Sequence, residues 1–177
     1  MICAAGTPAP GNVLPECSQA LPPASEIWHI PRIMRLHASC AARATAQGGD
    51  ALLLLGPPGC GKSDFTLRLI DSGFILVADD QVLVEDFSAR APDALAGLLE
   101  VRGLGIFRLP YLPAARLRLV ITLGTGAERL PMPRRHAVLD LPEITLDPTA
   151  PSAPARAALA LEAACGRVSQ IAGAFAA

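Results

Sequence analysis

Residues 56–63, Gly-Pro-Pro-Gly-Cys-Gly-Lys-Ser, form a glycine-rich segment between two stretches of different periodicity. Residues 51–55 before it are wholly apolar, as in a strand that is buried on both faces. From Ser63 onward apolar residues recur at helical spacing until Gly73, which is expected to end the helix. Residues 74–77 are apolar again and predict a second strand. This strand–loop–helix–strand order and the pattern G-x-x-x-x-G-K-[ST] together predict a phosphate-binding loop.

Lys62 is the only lysine among the 15 lysine and arginine residues of the chain. A compact ammonium group on a flexible stem can reach between the β- and γ-phosphates of a nucleotide, whereas a planar guanidinium is too directional for such a cradle. The main-chain amides at the start of the helix add hydrogen-bond donors and a partial positive charge. The residues expected to bind nucleotide are Gly56, Pro57, Pro58, Gly59, Cys60, Gly61, Lys62 and Ser63.

Composition restricts the class of protein further. A formal net charge of -1 and scattered arginines offer no basic surface for nucleic acid. No apolar run approaches the roughly 18 residues of a membrane span. The five cysteines are odd in number and form no C-x-x-C pair, which argues against a disulfide framework or a structural zinc site and favours a reducing cytoplasm.

The length of 177 residues favours one domain with a substantial core. Residues 1–33 are rich in proline and nearly uncharged, so we expect a disordered tail there and an ordered domain at residues 34–177. The remaining periodic segments predict a single α/β domain, a mixed sheet flanked by helices. These further segments are strands at 81–85, 117–123 and 138–146, the last interrupted at Pro142, an apolar stretch at 98–108 broken by glycines, and a helix at 155–165.

Ser63 and the pair Asp79 and Asp80 are the candidates for chemistry next to the loop. The Ser63 hydroxyl is suited to bind Mg²⁺, to cap the helix, or to do both. Asp79 and Asp80 follow the second strand, where open α/β sheets place their ligand crevice. They can share one site only if the strand ends near Ala78, and a solvated turn is the alternative. If both carboxylates act, one acts on the hydroxyl of the phosphoryl acceptor. The other then contacts metal-bound water or a residue that positions the first.

Four segments in this order resemble the HPr kinase/phosphorylases, bacterial enzymes that phosphorylate a serine of the phosphocarrier protein HPr. They are Leu-His-Ala-Ser at 36–39, the loop at 56–63, Val-Ala-Asp-Asp-Gln-Val at 77–82 and Leu-Glu-Val-Arg-Gly-Leu-Gly-Ile at 99–106. The last segment is the specific one, because the loop motif is common to many nucleotidases. The resemblance covers roughly residues 34–165.

The resemblance implies a P-loop fold of the phosphoenolpyruvate-carboxykinase type and a homo-oligomer, a hexamer in the relatives. It implies ATP and Mg²⁺ as cofactors and an HPr-type phosphocarrier as partner. Residues 34–177 would then be the catalytic domain, with Lys62 on phosphate and with Ser63 and Glu100 holding Mg²⁺.

The same resemblance assigns the remaining catalytic residues. The pair Asp79 and Asp80 would contain the base for the seryl hydroxyl, with Asp80 preferred, and His37 would lie close to it. Arg102 could stabilise charge on the transferring phosphoryl group, a role that suits a guanidinium. Without the resemblance, His37 is a histidine at a strand start and Arg102 a surface charge before a turn.

Two departures from the family pattern shape the functional expectation. Only a proline-rich tail precedes His37, so the chain resembles a truncated form of the longer enzymes. Residues 147–156 carry one arginine and no lysine where the longer enzymes have a basic loop, so phosphorylase activity is doubtful. Arg134, Arg135 and His136 could substitute for that loop, although a solvated basic segment is the simpler interpretation.

Two alternatives from other classes remain open. One is a P-loop ATPase or GTPase that acts as a switch, and the other is a nucleotide-sensing regulatory protein without transfer activity. The single lysine leaves no separate Asn-Lys-x-Asp motif for reading a guanine base, which weakens the GTPase version.

Overall fold

The structure, a computed structural model, describes residues 33–46, 48–126 and 128–176. All of them belong to one compact unit, Pro31–Ala177. The predicted tail at residues 1–33 lies outside the described residues except for Ile33. No helix in the described ranges is both long enough and apolar enough to cross a bilayer.

The described chain contains ten strands, two α-helices and one 3₁₀ turn at Asp93–Leu95. The strands are β1 (Met34–Leu36), β2 (Ser39–Thr45), β3 (Gly48–Leu55), β4 (Ile75–Ala78), β5 (Val82–Glu85), β6 (Ser88–Arg90), β7 (Leu98–Val101), β8 (Gly105–Arg108), β9 (Ala115–Leu123) and β10 (Glu143–Leu146). The helices are α1 (Lys62–Asp71) and α2 (Ala153–Ala164).

Eight of these strands form one mixed sheet in the order β1-β5-β6-β9-β3-β2-β4, with β10 beside β9. The pairs β3–β9 and β9–β10 are parallel, and the other pairs are antiparallel. Strands β7 and β8 form a separate antiparallel hairpin. The sequence prediction of a mixed α/β domain is thereby confirmed.

Strand β3 is buried on both faces because it lies inside the sheet and each face is covered. Leu52 and Leu54 point to one side, where they pack with Phe65 of α1 and Leu161 of α2. Leu53 points to the other side, into a second cluster built largely from strand residues. The continuous apolar run at residues 51–55 follows from this double burial.

Helix α1 ends at the predicted glycine. Gly73 has φ 89°, a conformation that glycine adopts at little cost. The amide of Phe74 donates to Leu69 O at 3.0 Å, and the amide of Gly73 donates to Ile70 O at 3.0 Å. These two bonds define a Schellman motif, which turns the chain directly into β4.

Of the two outermost strands in this order, one is short and the other is partly covered. At one end lies the three-residue strand β1. At the other end, the amide of Leu112 donates to Leu76 O of β4 at 2.8 Å, and Tyr111 forms an isolated parallel bridge with Leu76. The segment after the β7–β8 hairpin therefore covers part of the outer edge of β4.

Two predicted elements differ from those observed. The strand predicted at 138–146 extends only over Glu143–Leu146, because residues 136–141 form a turn in which the amide of Asp140 donates to His136 O. The helix predicted at 155–165 begins two residues earlier, at Ala153, with Pro154 in its first turn. Proline is tolerated there because the amides of a first helical turn have no intrahelical partner.

Candidate active site

The glycine-rich loop connects β3 to α1 and depends on its first glycine. Gly56 has φ 153°, and a Cβ at this position would lie 2.6 Å from Cys60 Sγ. Gly61, directly before the helix, has φ 92°. Residues with a side chain rarely adopt these φ values, so the loop conformation requires glycine at both ends.

Lys62 is the first residue of α1 and is 7% exposed. Its Nζ donates to Gly56 O at 3.0 Å and to Pro57 O at 3.2 Å. An ammonium has three hydrogens, and these two bonds hold it across the mouth of the loop. The ammonium therefore lies against the loop, at the N-terminal end of α1 where the helix carries partial positive charge.

Asp79 follows β4 and is 5% exposed. Its Oδ1 accepts a hydrogen bond from Ser39 Oγ at 2.5 Å and another from Ser63 Oγ at 3.1 Å. Its Oδ2 accepts a longer bond from the amide of Glu100 at 3.4 Å. One carboxylate thus joins β2, α1 and β7 to the end of β4.

Asp80, in contrast, is exposed and points elsewhere. The amide of Gln81 donates to Asp79 O at 2.8 Å, which closes a tight turn around Asp80 with φ 66°. A positive φ is uncommon for a residue with a side chain, although aspartate adopts it more readily than most. Strand β4 ends at Ala78, and this turn sends the two neighbouring carboxylates to different surroundings.

His37 lies beside Asp80. Its Nδ1 is 3.1 Å from Asp80 Oδ1 and 3.0 Å from Asp80 O. Because a carbonyl oxygen only accepts, Nδ1 carries the hydrogen and Nε2 faces away from this pair. The short loop between β1 and β2 places His37 there, and the amide of Ala38 also donates to Asp80 O, at 3.3 Å.

The β7–β8 hairpin brings Glu100 and Arg102 to the same region. Both side chains are exposed, and Arg102 stands in the turn between the two strands. Gly103 in that turn has φ 82°, and the amide of Leu104 donates to Val101 O at 2.9 Å. The segment that the sequence showed as apolar and broken by glycines is therefore a tight hairpin.

A cleft of about 380 Å³ lies between the loop, the end of β4 and the hairpin. Six of the side chains that the sequence predicts for the chemistry line it together, and Asp79 is the exception. These lining residues are His37, Lys62, Ser63, Asp80, Glu100 and Arg102. Pro58, Gly59 and Gly61 of the loop also line it.

Other predicted residues do not form the wall of the cleft. Gly56, Pro57 and Cys60 of the loop are not lining residues, and Asp79 is buried and contacts the lining residue Ser63 through a hydrogen bond. Arg134 lines a different cavity, and Arg135 pairs with Asp140 at 2.6 Å. The alternative basic segment at residues 134–136 therefore contributes no lining residue to this cleft.

Ser39 also lines the cleft, although it was not among the site residues predicted from the sequence. It is fully buried and donates the shortest hydrogen bond to Asp79. The sequence offers one signal, its position two residues after His37. A serine at the start of a strand is otherwise too common to be recognised as part of a site.

Comparisons with known proteins show which sequences the chain is similar to. Residues 47–112 match the model of a family described as the HPr Serine kinase C-terminal domain. An HPr kinase/phosphorylase of Paraburkholderia xenovorans is 38% identical over 126 residues, which is 60% of this chain and 38% of the relative. One from Xylella fastidiosa is 33% identical over 148 residues, 67% of this chain and 45% of the relative. The chain therefore spans less than half of the length of these curated relatives.

A solved structure shares the fold. The structure titled as the Hpr(Ser) kinase/phosphatase from Coxiella burnetii matches with a TM-score of 0.56 and 22% identity. The match covers 76% of this chain and 89% of that one. Residues 47–112 therefore match the model of the HPr Serine kinase C-terminal domain, the chain is similar in sequence to the named HPr kinase/phosphorylases, and the solved structure shows the shared fold.

Proposed function

We propose that the chain transfers a phosphoryl group from ATP, with Mg²⁺, to a serine of an HPr-type phosphocarrier protein. The observation that carries the proposal is the single cleft in which Lys62 and Ser63 of the loop lie opposite Asp80 and His37. Phosphoryl transfer needs a held nucleotide, a divalent cation and a group that acts on the acceptor. The names of the matched relatives agree with this chemistry.

The loop fits the phosphates of a nucleotide. The positive φ values of Gly59 and Gly61 let the main chain curve around the loop, and the partial positive charge of α1 favours an anion at its N-terminus. Lys62 is held at the same place by its bonds to loop carbonyls. We assign the domain to the P-loop folds on this basis, and the family resemblance implies the phosphoenolpyruvate-carboxykinase type.

The side chains beside the loop also fit Mg²⁺. Mg²⁺ prefers oxygen ligands, and it usually keeps waters and substrate phosphates with only one or two protein ligands. The described residues contain no cluster of three or more His, Cys, Asp or Glu that would form an all-protein metal cage. Ser63 and Glu100 supply the hydroxyl and carboxylate oxygens, and the bound ion would neutralise charge on the phosphates.

The acceptor side of the cleft belongs to Asp80, His37 and Arg102. Asp80 is the better base of the two aspartates, because Asp79 is buried and already accepts three hydrogen bonds. Asp80 is exposed and can receive the proton of a seryl hydroxyl, while His37 holds its orientation. Arg102 would balance charge on the transferring group.

The reverse activity is expected to be weak. Residues 147–156 contain Arg156 as their one basic residue, and Arg156 lines the other cavity rather than this cleft. The proposal therefore assigns phosphorylase activity a minor role. A hexameric assembly and a cytoplasmic location belong to the same proposal and follow from the family resemblance.

The test is incubation with labelled ATP, Mg²⁺ and HPr-type carriers, followed by identification of the modified side chain. We expect acid-stable phosphoserine on the carrier, strongly reduced with Asp80→Asn and unchanged with Asp71→Asn, an exposed carboxylate at the end of α1. Phosphohistidine on the carrier, or release of inorganic phosphate without transfer, would contradict the kinase and favour the ATPase alternative.

A further inference from the structure

We infer that Ser39 is a positioning residue for the divalent cation, acting through Asp79 on the hydroxyl of Ser63. The inference rests on the proposed function, because it concerns how the same cleft holds Mg²⁺. No residue prediction from the sequence included Ser39. Its role follows from the buried carboxylate of Asp79, which accepts hydrogen bonds from Ser39, Ser63 and the amide of Glu100.

The sheet fixes the position of Ser39 independently of its hydrogen bond to Asp79. It is 0% exposed and pairs with Leu54 across the β2–β3 ladder. Strand β2 lies between β3 and β4, so its backbone is held from both sides. The hydroxyl of Ser39 therefore approaches Asp79 from a rigid part of the sheet, at an Oγ–Oδ1 distance of 2.5 Å.

The carboxylate of Asp79 has little freedom to rotate. Ser39 and Ser63 both donate to Oδ1, and the amide of Glu100 donates to Oδ2. Rotation of the carboxylate would break the short bond to Ser39, a residue that is 0% exposed. Ser39 thus keeps Oδ1 turned toward α1.

The direction of the Ser63 hydroxyl follows from this fixed acceptor. Because its hydrogen points to Asp79 Oδ1, its oxygen lone pairs remain for a cation in the cleft that Ser63 lines. Groups that orient a metal ligand in this way affect metal affinity even though they do not touch the metal. Ser39 then acts one hydrogen bond further from the metal, because it fixes the Asp79 carboxylate that orients the Ser63 hydroxyl.

A purely structural role for Ser39 predicts something different. A buried hydroxyl needs a hydrogen-bond partner in any case, and Asp79 would satisfy it. Replacement by alanine would then lower stability and affect nucleotide binding equally with and without Mg²⁺. A positioning role predicts that the loss appears in the contribution of Mg²⁺ alone.

The experiment measures the affinity of the full chain for a non-hydrolysable ATP analogue by titration calorimetry, once with EDTA and once with saturating Mg²⁺. The ratio of the two affinities is the gain due to Mg²⁺. For Ser39→Ala we expect this gain to fall by about 10-fold, the lower end of the effect of residues that orient metal ligands. The affinity in EDTA should stay close to that of the wild type.

Two further variants make the outcome specific. Ser39→Thr keeps the hydroxyl and should retain most of the gain. Thr122→Val removes another hydroxyl–carboxylate bond of the same sheet, from Thr122 Oγ1 to Glu143 Oε1 at 2.7 Å, and should leave the gain unchanged. Thermal unfolding of each variant shows whether it remains folded at the temperature of the titration.

An unchanged gain in folded Ser39→Ala, or equal losses in Ser39→Ala and Thr122→Val, would overturn the inference and leave the kinase proposal standing. A wild-type chain that binds the analogue without any gain from Mg²⁺ would also overturn it, while nucleotide binding itself would stand. A wild-type chain that binds no nucleotide would remove the proposed function first and this inference with it.

Discussion

His37 Nδ1 lies 3.1 Å from Asp80 Oδ1 and 3.0 Å from the carbonyl oxygen of the same residue. The histidine therefore contacts both the side chain and the main chain of a residue in a strained turn. Asp79, one position earlier, has no such contact with His37 and is held by two serines instead. Neighbouring carboxylates thus have separate partners, and we expect them to have separate functions.

Replacing the exposed carboxylate should affect turnover more than binding. Asp80→Asn is expected to lower kcat for phosphoryl transfer by roughly 10²- to 10⁴-fold, the usual contribution of general base catalysis. The Kd for nucleotide should change little, because the hydrogen bonds of Asp80 run to His37 and Ala38 and not to the loop. Single-turnover kinetics and calorimetry measure the two quantities. A variant with normal kcat would remove Asp80 from the reaction.

Lys62→Met should weaken nucleotide binding. Loss of a charged hydrogen bond to phosphate costs about 1.5–3 kcal/mol, or roughly 10- to 100-fold in Kd. Lys62→Arg keeps the charge and should still bind poorly, since a planar guanidinium does not fit where the ammonium contacts Gly56 O and Pro57 O. Arg35→Met, at an exposed position on β1, is the matched control. Wild-type affinity in Lys62→Arg would show that charge alone is sufficient.

Gly56→Ala should destabilise the fold through a specific contact. The added Cβ would lie 2.6 Å from Cys60 Sγ, at φ 153°. We expect a loss of about 1–3 kcal/mol in the free energy of unfolding, measured by urea denaturation. Gly59→Ala is the control for backbone strain alone, because φ is 79° and its Cβ would meet nothing within 4 Å. Cys60→Ala in the Gly56→Ala background should recover part of the loss, and no recovery would contradict the steric explanation.

Asp50 should make stability depend on pH at the acid end. Its side chain on β3 accepts from Arg118 Nε at 2.7 Å and from Arg167 Nη1 at 2.6 Å. Burial alone would raise the pKa of Asp50, but the hydrogen bonds from Arg118 and Arg167 outweigh it and hold the pKa below its usual value of 3.8. The ionised form is therefore favoured by folding.

Because the folded pKa is the lower one, this stabilisation is present above the unfolded pKa and disappears as the pH falls through the folded pKa. Asp50→Asn should cost about 1–2 kcal/mol near neutral pH, a value reduced because both arginines are partly exposed. The difference in the free energy of unfolding between Asp50→Asn and the wild type, measured by urea denaturation, should become smaller below about pH 4. A constant difference across that range would contradict a role for the charge.

The elements next to the loop could be predicted because local and tertiary signals agree there. The apolar run before Gly56 and the glycine at position 73 specify a buried strand and a helix end without reference to distant parts of the chain. Strand β2 has no such signal. Its sequence Ser-Cys-Ala-Ala-Arg-Ala-Thr is poor in residues that favour strands, and it is a strand because it fits between β3 and β4.

The sequence was sufficient to predict several residues that line the cleft, but not the hydrogen bonds among the residues of the site. The motifs predicted that His37, Lys62, Ser63 and Asp80 belong together, and all four line one cleft. Their motifs did not indicate that Asp79 would be buried and bonded to Ser39. That bond depends on how β2 pairs with β4, a contact between residues about forty positions apart in sequence.

The hydrogen bond from Leu112 to Leu76 has a consequence for self-association. An uncovered outer strand offers its amides and carbonyls to other chains and promotes aggregation. Here the segment after the β7–β8 hairpin, with Tyr111 and Leu112, pairs with Leu76 on the outer side of β4, where another molecule would otherwise add a strand. A deletion that shortened this segment would therefore endanger solubility before it altered the cleft.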